Sequence, residues 1–181
     1  KYPNLLWVSQ SLNRSFPSLP VIEDERRFDY VAYLDGDDFW TDETKITQQV
    51  EFMENHPNIS ISHHRSVEMK DGLLFSTQDD RGDQPRIQGP EVLRKGVAMT
   101  RSSIIRRNFS VEHTGYRGRI LNYDEFIRTQ ASLHGGVGFV ADILPVVHRV
   151  HKHNAWAGRD SDDQATAQAI SYFFVAKWLR S

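Results

Sequence analysis

The sequence predicts an α/β fold: three layers, a mostly parallel central sheet and a small antiparallel insert. Three observations predict it. Apolar runs of strand length alternate with amphipathic stretches of helical length. The run Phe28 to Leu34, rich in Tyr and Val, is short and ends at an acidic, glycine-containing turn, as a buried parallel strand does. Val67 to Phe75 turns back on itself around Lys70-Asp71-Gly72, a hairpin signal.

The elements follow in order. Leu5 to Val8 is expected as a short buried strand, followed by a turn-rich stretch from Ser15 to Pro20. After the Phe28–Leu34 strand, Asp42 to His56 is expected as a helix. Thr41 or Asp42 would cap it, and Ile46, Val50 and Met53 would form its apolar face. Asn55-His56-Pro57 stops it. Ile59 to His64 alternates as a strand. His63 and His64 would then point to opposite faces, one buried and one exposed.

Gln78 to Pro90 reads as a loop, and Pro90 opens a short helix ending near Gly96. Val97 to Thr100 is expected as a strand and Ser102 to Asn108 as a helix, with Arg101, Arg106 and Arg107 on its polar side. Phe109 to Leu121 reads as a loop. Asp124 to His134 is expected as a helix stopped by Gly135-Gly136. Val137–Ala141 and Val146–Val150 are strands, and His151 to Asp163 is a polar loop. Gln164 to Leu179 closes the sequence as a helix with Ala169, Phe173 and Ala176 on one face. No internal repeat is present, and 181 residues suit a single domain, residues 1–181.

Composition narrows the function. The net charge of -2 offers no basic surface excess for nucleic acid. With no cysteine, disulfide scaffolds, thiolate metal sites and cysteine nucleophiles are excluded, which is compatible with a cytoplasmic location. No apolar stretch approaches the roughly 18 residues of a membrane span.

The chemistry concentrates in Leu34-Asp35-Gly36-Asp37-Asp38-Phe39-Trp40. Asp35, Asp37 and Asp38 follow directly on a buried strand, where open α/β sheets bind ligands. Clustered carboxylates repel one another unless a cation or hydrogen-bond donors compensate. A hard divalent cation shared with substrate phosphates suits such a cluster, and Gly36 would permit a tight turn. A solvated turn beside a helix cap is the competing explanation for any bare Asp-x-Asp.

The longer stretch Y-V-A-Y-L-D-G-D-D-F-W-T-D-E-T-K-I-T-Q-Q-V-E-F-M-E-N-H-P, Tyr30 to Pro57, resembles the family 2 glycosyltransferases. Weaker matches follow in the family's order: His64, Tyr123-Asp124-Glu125, and His148-Arg149-Val150-His151 with Asn154 and Trp156. The matching motifs lie within residues 28–157. The resemblance implies a GT-A-like three-layer sandwich and transfer of a sugar from a nucleoside-diphosphate sugar, UDP being the commonest nucleotide. Asp35 would meet the ribose or help position the metal, and Asp37 would coordinate Mn²⁺ or Mg²⁺ on the diphosphate. Asp38 would bind alongside them or cap the turn or the helix. His151 would complete the metal shell or touch the diphosphate. Arg149 would contact phosphate, and Trp156 would stack on a sugar or anchor its loop. Asp124 would be the general base of an inverting transfer, with Glu125 in reserve and helix capping as the alternative role for Asp124.

The acceptor would be a glycan or a lipid-linked hydroxyl, with peripheral association at the inner membrane face. The final helix, with Phe173, Phe174 and Trp178, is apolar enough to be core or an oligomer contact. The resemblance also implies a strand-and-helix unit on the order of a hundred residues before the acidic turn. Only 34 residues precede Asp35, and the chain opens on Lys1, so an N-terminally incomplete domain is expected. That leaves a second reading, a partial or non-catalytic GT-A domain that binds carbohydrate or a partner.

Overall fold

Tyr30, Val31 and Ala32 form the first strand, β1 (Tyr30–Ala32), where Tyr and Val favour a pleated backbone. The computed structural model describes residues 28–76, 86–93, 102–106, 119–151 and 159–180. The elements after β1 are α1 (Lys45–Asn55), β2 (Ile59–His63), β3 (Ser66–Lys70), β4 (Leu73–Ser76), β5 (Arg86–Gln88), α2 (Pro90–Leu93) and β6 (Ile104–Arg106). There follow α3 (Tyr123–Ser132), β7 (Gly136–Phe139), β8 (Val146–Arg149) and α4 (Ser161–Trp178). The chain is mixed α/β, as expected.

Five strands pair in the order β1-β6-β2-β7-β5 and three in the order β4-β3-β8. In the larger sheet β2 and β7 are parallel, whereas β6 runs antiparallel between β1 and β2, and β5 antiparallel beside β7. This corrects the expectation of a mostly parallel sheet: among the described strands it is mixed. The antiparallel strands are β5, which lies where the sequence predicted a loop, and β6, which lies where it predicted a helix. Ile104 and Ile105 point to opposite faces, 1% and 4% exposed, so both β-branched side chains are buried only in an extended backbone. The smaller sheet is mixed too, with a β3–β4 hairpin and β8 parallel to β3.

Two apolar clusters fill the space on either side of the larger sheet. Val50 and Met53 of α1 pack with Ile59 and Ile104, flanked by Tyr30, Ala32 and Phe52. Phe126, Ile127 and Ala131 of α3 and Val175 and Trp178 of α4 pack with Ile61, Ile105 and Val137. The result is helix, sheet, helix. Fully burying one such large apolar side chain is worth about 1.5–3 kcal/mol. Gly138 makes room for the first cluster: a Cβ there would collide with the Phe52 ring and stand 2.8 Å from Ile59 Cδ1.

Other expectations change in detail. The α1 helix starts at Lys45 rather than Asp42 because the Asp42 carboxylate holds residues 42–44 in a turn. Its Oδ1 accepts from the Thr44 N–H at 2.8 Å and the Thr44 hydroxyl at 2.5 Å. His63 and His64 are both buried, each 1% exposed: His63 ends β2, every residue of which is buried, and His64 lies in the short connection from β2 to β3. The stretch expected as a loop up to Pro90 contains β5, which pairs with β7. On α4 the buried line is Ala167, Ser171, Val175 and Trp178, while Ala169, Phe173 and Ala176 are exposed. The expected strands at 5–8 and 97–100 lie outside the described residues. Among the described residues no helix is long and apolar enough to cross a membrane.

Candidate functional site

The acidic turn leaves β1 and closes on itself through the Asp38 N–H, which donates to the Asp35 carbonyl at 3.0 Å. Asp35 is exposed, Asp37 half-buried and Asp38 buried at 5% exposure. Gly36 does not adopt a left-handed backbone, and a Cβ there would meet nothing within 4 Å. The turn therefore does not need glycine, contrary to the expectation from sequence.

What holds the turn is a segment more than a hundred residues further on. Phe39 and Val147 exchange backbone hydrogen bonds, at 3.2 Å from the Phe39 N–H and 3.0 Å from the Val147 N–H. Asp38 Oδ1 accepts the Arg149 N–H at 3.1 Å. The Thr41 hydroxyl donates to the Pro145 carbonyl at 2.6 Å, and Asp42 Oδ2 accepts the Leu144 N–H at 3.0 Å. The Thr44 hydroxyl and the Leu144 N–H, in that order, hold the Asp42 carboxyl below the usual carboxylate range. The Arg149 guanidinium donates through Nε to the Asp37 carbonyl and lies 5.8 Å from the centre of the Phe39 ring. Buried Asp38 thus secures the turn against β8 instead of facing outward with Asp37.

The same stitching brings His151 to the turn. Its Nε2 stands 3.0 Å from Asp37 Oδ2, with both side chains about two-fifths exposed, at 42% and 37%. The contact is a hydrogen bond between imidazole and carboxylate; the two atoms also stand at about the 3 Å spacing of neighbouring ligands around an octahedral ion with bonds of about 2.1 Å. Carboxylate and imidazole together suit Mn²⁺ better than Ca²⁺. Their exposure leaves room for water and phosphate oxygens as further ligands. Among the described residues no three Asp, Glu or His side chains gather at one point. Any ion here would therefore take part of its shell from the substrate, as Mg²⁺-like ions commonly do.

Beneath the turn lies a buried polar layer that the sequence pattern did not single out. Lys45 is 1% exposed. Its Nζ donates to Gln49 Oε1 at 2.6 Å and sits 4.5 Å from the centre of the Trp40 ring. Gln49 Nε2 in turn reaches the Ser62 carbonyl at 3.0 Å, Ser62 Oγ at 3.2 Å and the Ser102 carbonyl at 3.0 Å, tying α1 to β2 and to the approach of β6. Burial pushes the Lys45 ammonium down to about 7. It also pushes His64 down to about 3, with the charges of Lys45 and His63 acting in the same direction. The available signal was the spacing of four between Lys45 and Gln49, which stacks them on one side of a helix.

The two candidates for a general base differ. Glu125 is 5% exposed and its Oε1 accepts from Arg128 at 2.6 Å, one turn along the same helix. Its carboxylate is engaged in a buried ion pair. Asp124 is half-buried in the first turn of α3, where the helix dipole favours a negative charge. The capping role is not Asp124's: the N-cap position belongs to Asn122, whose N–H donates to Ser171 Oγ at 2.7 Å and anchors the helix start to α4. Nor does Asp124 join Asp37 and His151 as a third ligand. His148 is half-buried and faces Glu68 across β3 at 3.8 Å, a structural pairing. Trp156 lies outside the described residues, with Lys152, His153 and Asn154.

No family model matches the chain. It is similar to uncharacterized proteins of Mycobacterium bovis and of two strains of Mycobacterium tuberculosis, each 24% identical over 137 residues. That similarity covers 75% of this chain and 39% of each relative, so the chain spans well under half the length of the curated relatives it matches.

Proposed function

We propose that this chain carries the diphosphate-binding side of a metal-dependent, inverting glycosyltransferase of GT-A type, acting on a nucleoside-diphosphate sugar. The observation that carries the reading is the approach of His151 Nε2 to Asp37 Oδ2, 3.0 Å apart though 114 residues separate them in sequence. The resemblance gave Asp37 to the metal on the diphosphate and His151 to the metal shell or the diphosphate. The mixed sheet flanked by helices, with the acidic turn at the end of a strand, is compatible with the proposed fold.

Asp37 and His151 would hold the ion, with Asp35 exposed beside them for the ribose. When bound, the ion supplies positive charge that stabilises the departing nucleoside diphosphate. Arg149 lies against the same turn, where its guanidinium can add charge on a phosphate oxygen. Asp124 is the base. It accepts the proton of the acceptor hydroxyl as that oxygen bonds to the anomeric carbon and the bond from that carbon to the diphosphate breaks. The acceptor is a hydroxyl of a glycan or of a lipid-linked sugar.

The test is calorimetric titration with uridine, guanosine, thymidine and cytidine diphosphates, each with and without Mn²⁺, on the complete gene product. One diphosphate should bind only with Mn²⁺. Asp37→Ala should abolish that binding while the melting temperature stays the same. Binding that ignores Mn²⁺, survives Asp37→Ala or is absent for every diphosphate would overturn the reading. Asp124→Asn should keep the donor affinity and lose transfer, and undiminished turnover in that variant would remove Asp124 from its role.

A further inference from the structure

Lys45 opens α1 with its side chain wholly inside the protein, and its ammonium makes two contacts. Gln49 Oε1 accepts from it at 2.6 Å, and the centre of the Trp40 ring lies 4.5 Å away. Among the described residues no carboxylate pairs with it. A buried charge ordinarily needs such a partner. Here the negative face of the indole takes that place. The Gln49 amide is fixed as well. Its nitrogen donates to the Ser62 and Ser102 carbonyls, so its oxygen is the atom turned to Lys45. The titratable groups around this layer are His63 at the end of β2, His64 after it, and Asp42 ahead of α1. Asp42 is already engaged, by Thr44 and by the Leu144 N–H.

Trp40 follows closely on the carboxylates, three residues after Asp37 and two after Asp38. The turn is tied to β8 of the smaller sheet through the bonds of Asp38 to Arg149 and of Phe39 to Val147. Trp40 joins it to the larger sheet. The ring meets Lys45, Lys45 meets Gln49, and Gln49 meets β2 at Ser62 and the approach to β6 at Ser102. The acidic turn is therefore held from both sheets, and one of the two holds contains a charge that can be lost.

We propose that Lys45 is a positioning residue: through the Trp40 ring its ammonium holds the acidic turn so that Asp37 meets metal and diphosphate, and loss of its proton frees the turn. This rests on the acidic turn being a diphosphate site and adds what controls it. Burial brings the ammonium down to about 7, so the proton leaves near neutrality. The two consequences have opposite signs. Above that pH the unfolded chain keeps a proton that the folded chain sheds, and the fold gains stability. Over the same range the ring loses its cation, and affinity for the diphosphate falls. A residue that merely supported the fold would move stability and affinity together.

The test is calorimetric titration of the complete gene product from pH 6 to pH 9. The probe is Mn²⁺ with whichever of uridine, guanosine, thymidine or cytidine diphosphate binds. Lys45→Met fills the same space without charge. At pH 6 its affinity should lie about tenfold below wild type, in the range of a desolvated cation on a ring face. At pH 9 the two should coincide, because wild type has then lost its proton too. Ionisation of the diphosphate and of His151 is common to both proteins and cancels in their ratio. The melting temperature of Lys45→Met at pH 6 should be no lower than that of wild type. A second variant needs no change of shape: fluorination of the Trp40 ring at two carbons, which weakens the negative ring face. It should lower affinity at pH 6 and leave it unchanged at pH 9.

A ratio of one at pH 6 would overturn the proposal, as would a deficit in Lys45→Met that persists undiminished to pH 9. Fluorinated Trp40 that binds as wild type does at pH 6 would equally overturn it. Each of these outcomes leaves Mn²⁺-dependent binding in place, so each counts against Lys45 alone. Absence of binding by every diphosphate at every pH would instead remove the diphosphate site, and this role of Lys45 with it.

Discussion

Asp37 and Asp38 are adjacent and chemically identical, yet burial gives them different work. Asp37 is open to solvent beside His151, while Asp38 is 5% exposed with the Arg149 N–H on its Oδ1. Asp38→Ala leaves that part-buried N–H without its acceptor and should cost about 1–3 kcal/mol of stability by urea denaturation. Asp38→Asn keeps an oxygen acceptor and should recover most of it. Gly36→Ala, two residues earlier, should stay within about 0.5 kcal/mol of wild type, because neither its backbone nor its surroundings require glycine. A large loss there would mean that the turn adopts a left-handed backbone in solution. The carboxylate cluster was legible in the sequence because it is local. The division of labour within it was not, since Arg149 lies 111 residues beyond Asp38.

Lys45 and His64 give a pH dependence with a definite sign. Lys45 falls from its ordinary value of 10.5 to about 7 in the folded chain, so between those values the unfolded chain holds the extra proton. Stability therefore rises as pH increases from about 7 towards 10. His64 falls from 6.5 to about 3, so stability likewise declines as pH drops through that window. Lys45→Met should flatten the alkaline slope and His64→Leu the acid one, measured by denaturant unfolding across pH. If Lys45→Met leaves the slope above pH 7 unchanged, the ammonium is not buried as described.

Among the elements, those whose amphipathic pattern is intact were legible. The apolar line Ile46, Val50 and Met53 identified α1, and the Lys70-Asp71-Gly72 turn identified the hairpin to within a residue. The failures have a common origin in long-range packing. Ser102 to Asn108 has the polarity of a short helix, but Ile104 and Ile105 gain more by lying between β1 and β2 than a solvent-facing helix could offer. On α4 the sequence presents apolar residues around most of the circumference, so periodicity alone cannot tell which side faces α3. The contacts choose Trp178, packed edge-on against Phe126 at 5.1 Å, over Phe173 at 62% exposure. Trp178→Ala should accordingly cost about 3–5 kcal/mol, whereas Phe173→Ser should change stability by no more than about 0.5 kcal/mol. A large loss for Phe173→Ser, growing with protein concentration, would show instead that this face is buried between copies.

For the molecule as a whole, the acidic turn and the strand that returns to it form one structural unit. Residues 37–42 meet residues 144–151 through backbone, hydroxyl and carboxylate hydrogen bonds, so local turn bonds alone do not position the acidic turn. Loop-closure entropy makes such distant contacts expensive to assemble, and they hold only as a cooperative set. The amides of Phe39, Leu144, Val147 and Arg149 should therefore exchange with solvent deuterium at one common opening free energy, below that of core amides in β2 and β7. Asp42→Ala removes the acceptor of the Leu144 N–H and should accelerate exchange at all four positions, including Arg149 at the far end. Acceleration confined to Leu144 would show that the segments open bond by bond. On the proposed metal-diphosphate site, Mn²⁺ with a nucleoside diphosphate that binds should slow the four together, because a ligand held by both Asp37 and His151 would bind only while the two segments are joined.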